Sequence, residues 1–394
     1  MIFIKTLGLL LCLIFALVEG GNVVVGYFPN WLSDGFQISS IDFTKYTHIH
    51  YAFAIMTEGN TPQWTDQSNT DSQLAELVSA AHKLSAKVLI SVGGWSGSIT
   101  FSTMASSASS RKEFIQWNID QIKQYDTDGV DIDWEYPGRQ GAGCNVVDAG
   151  SDVANLASLL EELRSELDQE FDKGSKEISI AGYVGGFPGT SSDITESIGK
   201  SVTRVNMMTY DINGAWNPQT GPNAPLQSSN GSNFVSAIAA WTKSGVPASK
   251  LTGGLAFYGR STTAKEDMSD GNMYQDQVTG DPPKGDSYDA SYQDPYCAKD
   301  PGGFSGIWRF GNMLSQGLLD TPLTAKEPWV RYWDEESSTP WLFNSKTMVF
   351  ISYDDPKSIA TKVSKAKSSG LAGVMIWSVD GDSSNNDLLN AATN

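Results

Sequence analysis

The chain has 394 residues, with 45 acidic and 27 basic side chains and a formal net charge of -18. Such an excess of negative charge repels nucleic acid and anionic membranes, so we expect neither as a partner. A neutral or cationic substrate is favoured instead. The twelve Trp residues agree with this, because flat aromatic faces pack well against the apolar faces of other rings.

The N-terminus has the layout of a secretory signal peptide. Lys5 precedes an unbroken apolar run at residues 7–18, and the small residues Gly20 and Gly21 follow it. The run is too short for a stable transmembrane anchor. We therefore expect residues 1–20 to be removed, residues 21–394 to form one folded unit, and the protein to be secreted and extracellular.

Short apolar segments rich in β-formers alternate with amphipathic helical segments, which is typical of parallel α/β proteins. The predicted strands cover residues 23–27, 48–53, 88–91, 129–134, 178–182, 204–209, 253–257 and 373–377. Predicted helices include residues 71–84, 112–125, 152–171 and 356–369. Eight strand–helix repeats predict a (β/α)8 barrel. Residues 261–346, rich in Gly, Asp, Pro and Trp, interrupt this alternation of strands and helices and predict a small inserted domain.

The most informative stretch is residues 128–135, which read Asp-Gly-Val-Asp-Ile-Asp-Trp-Glu. Side chains two apart on a strand share a face, so Asp131, Asp133 and Glu135 form one column opposite an apolar one. Burying several acids is costly unless function requires them. A calcium loop is the alternative, but it needs Gly at its sixth position and Glu at its twelfth, and the β-branched residues suit a strand better.

Two cysteines and one sequon remain in the predicted mature chain. Cys144 and Cys297 could pair in an oxidising compartment. The sequence leaves a disulfide and two buried free thiols both open, because it does not give the distance between their Cα atoms. Asn230 begins the sequon Asn-Gly-Ser in a polar stretch that we interpret as a surface loop, so it is a candidate for an N-glycan.

His48 and His50 on the second predicted strand raise the alternative of a metal pair. The remaining histidine, His82, lies on a predicted helix, so too few imidazoles exist for a usual site. We therefore expect both strand histidines to be core residues, and we expect no metal and no cofactor.

Five motifs together resemble family 18 of the glycoside hydrolases, the secreted chitinases. They are residues 128–135 with 91–94 (Ser-Val-Gly-Gly), 208–211 (Met-Thr-Tyr-Asp), 258–260 (Tyr-Gly-Arg) and 375–378 (Met-Ile-Trp-Ser), each at the end of a different predicted strand. The similarity extends from about residue 23 to residue 382, and the inserted segment resembles the α+β domain of longer members. The resemblance implies hydrolysis of β-1,4 linkages in chitin and N-acetylglucosamine oligosaccharides.

The expected chemistry centres on Glu135. Glycoside hydrolysis ordinarily uses two carboxyl groups that face each other across the scissile bond. Asp133 lies beneath Glu135 on the same strand, so the acetamido oxygen of the substrate is the candidate nucleophile, in a retaining, substrate-assisted route. Glu135 would then act as acid and base with a raised pKa, Asp133 would hold the acetamido N–H, and Asp131 would share a proton with Asp133.

The resemblance and the strand-end positions also give the remaining site residues. Tyr210 would hydrogen-bond the acetamido oxygen, Asp211 would support distortion of the sugar, and Trp377 would form an apolar floor. The full set of expected substrate-binding residues is Tyr27, Phe53, Gly94, Trp95, Met208, Trp216, Tyr258, Arg260 and Trp377. An ordinary core position for Trp377, and a purely neutralising role for Arg260, are the alternatives.

Two other functions fit the same barrel. A chitin-binding lectin would typically replace the acid, whereas Glu135 is present. An endo-β-N-acetylglucosaminidase acting on N-glycans would share residues 128–135, but the inserted domain and the Trp set favour a long linear chain over a branched glycan.

Overall fold

The computed structural model describes residues 23–32, 35–300 and 302–394, so the predicted signal peptide lies outside the described residues. The strands are β1 Val23–Pro29, β2 His48–Ala54, β3 Lys87–Gly93, β4 Gly129–Asp133, β5 Glu177–Gly182, β6 Arg204–Met207, β7 Leu251–Ala256, β8 Tyr258–Thr263, β9 Ile307–Arg309, β10 Leu319–Thr321, β11 Thr324–Ala325, β12 Val330–Asp334, β13 Thr339–Asn344, β14 Val349–Ser352 and β15 Gly373–Trp377. The α-helices are α1 Gln67–His82, α2 Phe101–Ala105, α3 Ala108–Tyr125, α4 Asp152–Glu170, α5 Ser192–Ser201, α6 Phe234–Lys243, α7 Phe310–Ser315, α8 Pro356–Ser368 and α9 Asp387–Thr393.

Eight parallel strands close into a barrel in the order β1-β15-β7-β6-β5-β4-β3-β2. The predicted (β/α)8 architecture is confirmed, and all eight predicted strands are present. The repeat is incomplete at its start, because the described residues between β1 and β2 form a short 3-10 turn, Ile38–Ser40, instead of an α-helix. In the closed order β15 lies directly across the barrel from β4, which sets the ends of these two strands facing each other at the mouth.

The two faces of β4 differ as the alternation predicts. Val130 and Ile132 are buried in the apolar layer between barrel and helices, where the ring of Trp134 stacks on Phe101 with centroids 5.3 Å apart. Helix α4 covers this layer with a stripe of buried leucines, each contributing about 2 kcal/mol by removing apolar surface from water. These leucines are Leu156, Leu159, Leu160, Leu163 and Leu167.

An antiparallel sheet follows the seventh barrel strand. Its strand order is β12-β13-β14-β8-β9, and a two-stranded ribbon of β10 and β11 accompanies it. The sheet begins at Tyr258 and ends at Ser352, so it extends beyond the predicted range of 261–346 at both ends. A separate apolar cluster that includes Trp341, Phe343 and Phe350 stabilises it.

A disulfide joins the insertion to the loop after β4. The Cα atoms of Cys144 and Cys297 are 5.5 Å apart, and the two positions are separated by 153 in sequence. In the chain-entropy picture, a cross-link over such a span contributes about 5 kcal/mol by constraining the unfolded chain. The backbone N–H of Gly143 also donates to the carboxylate of Asp300 at 2.6 Å, which anchors the same two segments.

A buried ion pair holds the start of α8 in place. Nζ of Lys362 in α8 lies 2.6 Å from both carboxylate oxygens of Asp354, and the Ser358 hydroxyl donates to the same carboxylate. Neither Lys362 nor Asp354 is more than 1% exposed. The next residue, Asp355, caps α8 and accepts a hydrogen bond from Arg331 of β12. The position of α8 therefore depends on charges supplied by both parts of the molecule.

We predict that Lys362→Met lowers the free energy of unfolding by about 3–5 kcal/mol, because it leaves the Asp354 carboxylate buried without a counter-charge. Urea and thermal unfolding measure the change. Lys365→Met on the same helix is the matched control, since Lys365 is partly exposed, and it should cost less than about 0.5 kcal/mol. Equal losses in the two variants would contradict the importance of the ion pair.

Candidate active site

Asp131 is the centre of a polar network inside the barrel. Its Oδ2 accepts hydrogen bonds from the hydroxyls of Tyr27 at 2.9 Å and Ser91 at 2.7 Å. Its Oδ1 accepts from Ser179 at 2.5 Å and from the Asn206 amide at 3.3 Å. The strand register places Ser91 and Ser179 on either side of Asp131, so the network follows from the pairing of β3, β4 and β5.

This network keeps Asp131 ionised. Burial alone would raise the pKa of its carboxyl, but the neighbouring His50 and the hydrogen bonds from Ser179 and Ser91 lower the pKa to about 2. Nδ1 of His50 lies 3.4 Å from Oδ2 of Asp131, and both side chains are fully buried. Within the described residues, no group of three or more His, Cys, Asp or Glu side chains is arranged to hold a metal ion.

Asp133 lies one step higher in the column and lacks such partners. It is 4% exposed, and its Oδ1 is buried with no hydrogen-bond partner among the described residues. Burial, followed by the charges of Glu135 and Asp131, raises the pKa of Asp133 well above its usual range. This buried oxygen is therefore available to accept a hydrogen bond from a bound group. No described hydrogen bond joins Asp133 to Asp131, so their sharing of a proton stays a prediction.

Glu135 lies two residues beyond Asp133, just past the end of β4, and is partly buried at the mouth. Its N–H donates to the Ser98 hydroxyl at 3.0 Å, and its carbonyl accepts from the Asn145 amide at 2.8 Å. Burial raises the pKa of Glu135 to about 7; a hydrogen bond with Tyr136 opposes this rise and the charge of Asp211 adds to it. A carboxyl with this pKa can both give and take a proton near neutral pH.

Tyr210 and Asp211 follow β6 and have contrasting surroundings. The Tyr210 hydroxyl contacts the sulfur of Met375 at 3.5 Å, a weak acceptor that leaves the hydroxyl able to donate to a ligand. Asp211 accepts from the Tyr258 hydroxyl at 2.5 Å and from Arg260 Nε and Nη2 at 2.6 and 2.7 Å. Arg260 thus forms a two-point ion pair with Asp211, which restrains the guanidinium beside the mouth.

An aromatic surface lies across the mouth from Glu135. Trp377 ends β15 and stacks with Phe53, their ring centroids 5.8 Å apart and the planes inclined by 16°. Trp31 extends the surface, since it is 58% exposed, stacks with Phe53 at 6.2 Å and lies 6.5 Å from the ring of Trp377. Tyr27 lies beneath Trp377 and is almost fully buried, with its hydroxyl engaged by Asp131. Direct contact between Tyr27 and a substrate stays a prediction.

Only glycine fits at position 94, where the chain leaves β3 beside the aromatic surface. It has a φ of 80°, and a Cβ added there would lie 2.6 Å from the Phe53 ring. The adjacent Gly93 has a φ of 115°, and a Cβ there would collide with the carbonyl oxygen of Asp133. Any side chain at these positions would therefore displace the aromatic surface or the acid strand.

Two tryptophans at the mouth are exposed. Trp95 directly follows Gly94 and is 51% exposed, and Trp216, in the loop after β6, is 54% exposed. The Arg260 guanidinium lies 4.9 Å from the centre of a Trp216 ring. Met208 is half-buried and packs against the cluster that fills the barrel interior. Large exposed rings beside a cleft are suited to stacking on the apolar faces of sugars.

Sequence reasoning missed several residues of this site. Trp31 lies two residues beyond β1, so its strand-end position was a usable signal, but the strand was predicted to end at Tyr27. Tyr136 adjoins Glu135 and affects its pKa, which adjacency alone could have suggested. Ser98, in the loop after β3, and Asn145, later in the loop after β4, contact the backbone of Glu135, and no sequence pattern marks either residue.

The site combines a carboxyl of raised pKa at the mouth, an unpartnered carboxyl beneath it and an aromatic surface opposite. Comparisons with known proteins identify the family of the chain. The sequence profile of the family described as glycosyl hydrolases family 18 matches residues 23–382. A chitinase-like effector from Moniliophthora roreri is 35% identical over 92% of this chain and 90% of that protein. Chitinase A1 from Niallia circulans is 31% identical over 91% of this chain and 56% of that protein. The crystal structure of a chitinase from Rhizomucor miehei has a TM-score of 0.84 at 32% identity, covering 94% of this chain and 99% of that one. The chain therefore belongs to family 18 of the glycosyl hydrolases.

Proposed function

We propose that the protein is a secreted chitinase that cleaves β-1,4 linkages between N-acetylglucosamine units with retention of configuration. The observation that carries the proposal is the pairing of a Glu135 carboxyl with a pKa of about 7 and a buried Asp133 oxygen that has no partner beneath it. One group can transfer a proton at neutral pH, and the other can accept the N–H of an acetamido group. Cleavage of an N-acetylated sugar uses both.

The proposed reaction proceeds in two steps. A sugar ring lies on Trp377, and Glu135 donates its proton to the glycosidic oxygen as the bond to the anomeric carbon breaks. The acetamido oxygen of the same sugar attacks that carbon and forms an oxazolinium ion, with the N–H held by Asp133 and the oxygen oriented by Tyr210. The Glu135 carboxylate then takes a proton from water, which adds to the anomeric carbon and regenerates the acetamido group.

Secretion is supported by two features besides the N-terminal sequence. The Cys144–Cys297 disulfide is a bond that persists in oxidising compartments. Asn230 lies exposed in a loop, where an N-glycan could be attached. No helix in the described part of the chain has the length and apolar character needed to cross a membrane.

A noncatalytic chitin-binding role is the second candidate, because two of the relatives are named chitinase-like effectors. Glu135 and its raised pKa favour turnover, since binding alone does not require a titrating carboxyl at the mouth. Cleavage of branched N-glycans is disfavoured by the aromatic surface of Trp31, Phe53 and Trp377, which suits a succession of sugar rings in a linear chain.

We predict that Glu135→Gln lowers the rate of hydrolysis of N-acetylglucosamine hexamer by at least about a hundredfold, because it removes the transferable proton. Calorimetry should show that the variant still binds the hexamer. Glu76→Gln, an exposed change on α1, is the control and should retain full activity. Unchanged turnover in Glu135→Gln would remove Glu135 from its role, and binding without turnover by the unaltered protein would favour the noncatalytic candidate.

The pH dependence of kcat/KM tests whether the charge of Asp211 raises the pKa of Glu135. Glu135 must be protonated to act as the acid, so activity should fall as the pH rises through about 7. The negative charge of Asp211 raises this pKa, so Asp211→Asn should move the alkaline limb of the profile to lower pH. Asp120→Asn, exposed on α3, should leave the limb in place. A limb that stays fixed or moves to higher pH in Asp211→Asn would be inconsistent with this coupling.

The neighbouring-group step makes a separate prediction. The first products detected by NMR should be β-anomers, because two displacements at the anomeric carbon retain its configuration. Hexamers of fully deacetylated glucosamine should resist cleavage, since they carry no acetamido oxygen. Early α-anomer, or rapid hydrolysis of the deacetylated hexamer, would exclude the substrate-assisted route.

A further inference from the structure

Arg139 differs from the other arginines of this protein. The other six all pair with carboxylates: Arg111, Arg164, Arg204, Arg260, Arg309 and Arg331. The side chain of Arg139 forms no ion pair and no hydrogen bond with any described residue. In a chain with 45 acidic and 27 basic side chains, a guanidinium without a carboxylate partner is unexpected. Its position therefore needs another explanation.

Two aromatic rings hold Arg139 in place. Its guanidinium carbon lies 3.6 Å from the ring centre of Tyr183 and 5.1 Å from that of Tyr136. The two rings meet edge to face, with centroids 5.2 Å apart. A guanidinium that lies on aromatic faces keeps its N–H donors free in its own plane. Arg139 is exposed, so these donors are accessible to a ligand.

The group formed by Tyr136, Arg139 and Tyr183 adjoins the acid. Tyr136 directly follows Glu135 and influences the pKa of its carboxyl, while the Tyr136 ring faces Arg139. Tyr136 and Tyr183 follow β4 and β5, and Trp377 ends β15 on the opposite side of the barrel. Glu135 is thus located between the aromatic surface and the arginine group.

We propose that Arg139 binds the leaving portion of the chitin chain and selects N-acetylated units there. The inference rests on the proposed function. The reacting sugar lies between Trp377 and Glu135, so the portion released on protonation extends past Glu135 toward Arg139. The N–H donors of Arg139 match the carbonyl oxygen of an acetamido group and the hydroxyls of the sugar. A deacetylated unit carries an ammonium group, which the guanidinium repels.

Two acetylation patterns of one tetramer test the proposal. In the first all four units are N-acetylated, and in the second the two units at the reducing end are glucosamine, so the acetamido group of the reacting sugar is kept. Products are identified by mass spectrometry to confirm cleavage after the second unit. The unaltered protein should prefer the first tetramer. Arg139→Gln should lower kcat/KM for that tetramer by about tenfold, mainly through KM, because charged hydrogen bonds are lost.

The variants separate charge from hydrogen-bond geometry. Arg139→Gln should also reduce the preference for the acetylated tetramer, whereas Arg139→Lys should keep the discrimination against glucosamine because it keeps the charge. Lys200→Gln, an exposed loss of charge in the last turn of α5, should change neither value. Equal losses on both tetramers, or an unchanged preference in Arg139→Gln, would overturn the assignment.

The same comparison can be made without turnover. Calorimetry measures the affinity of each tetramer for the Glu135→Gln variant and for the double variant that also carries Arg139→Gln. Loss of the binding preference on removal of Arg139 supports the proposal even if hydrolysis is not detected. Failure of the unaltered protein to cleave the acetylated tetramer would instead refute the proposed function. The two failures are therefore distinguishable.

Discussion

The placement of three carboxyl groups in one column, two buried on β4 and one partly buried just beyond its end, is the constraint on which the rest of this structure depends. Asp131 can remain charged in the barrel interior because donors from four other strands converge on it: Tyr27 of β1, Ser91 of β3, Ser179 of β5 and Asn206 of β6. These residues span much of the sequence, and closure of the barrel brings them to a single carboxylate. Asp133, one step higher, has no such set of donors. The same strand therefore carries one carboxylate fixed by the protein and one left for a ligand.

Differences in contacts, rather than in residue type, separate the pKa values of these acids. Hydrogen bonds and His50 lower the pKa of Asp131 to about 2, whereas burial raises that of Glu135 to about 7. Asp211 forms an ion pair with Arg260. Its negative charge nevertheless adds to the rise in the pKa of Glu135. A proton is thus available at the mouth near neutral pH although ionised carboxylates lie close by. This separation of roles is what general acid catalysis requires.

The sequence was sufficient for the barrel and for the acid column, because both produce periodic patterns. Alternation over residues 128–135 predicted which side chains face the interior, and apolar segments located the barrel strands. Contacts between distant segments produce no such pattern. His50 and Asn206 read as ordinary strand residues, and the stacking of Arg139 on Tyr183 depends on two loops that meet only in the folded chain. The disulfide was undecidable for the same reason, since its cysteines are 153 positions apart.

The loop after β4 connects these observations. The strand ends at Asp133, so Glu135 is outside the hydrogen-bonded ladder and must be positioned by other contacts. The Asn145 amide holds its carbonyl, and the preceding residue, Cys144, is bonded to the insertion. Arg139 belongs to the same loop and is fixed by its stacking on the aromatic rings. A carboxyl just beyond a strand end lacks the restraint of the strand's hydrogen bonds, and here the insertion supplies restraint through a covalent bond one residue from Asn145. The inserted domain therefore helps to fix the position of Glu135.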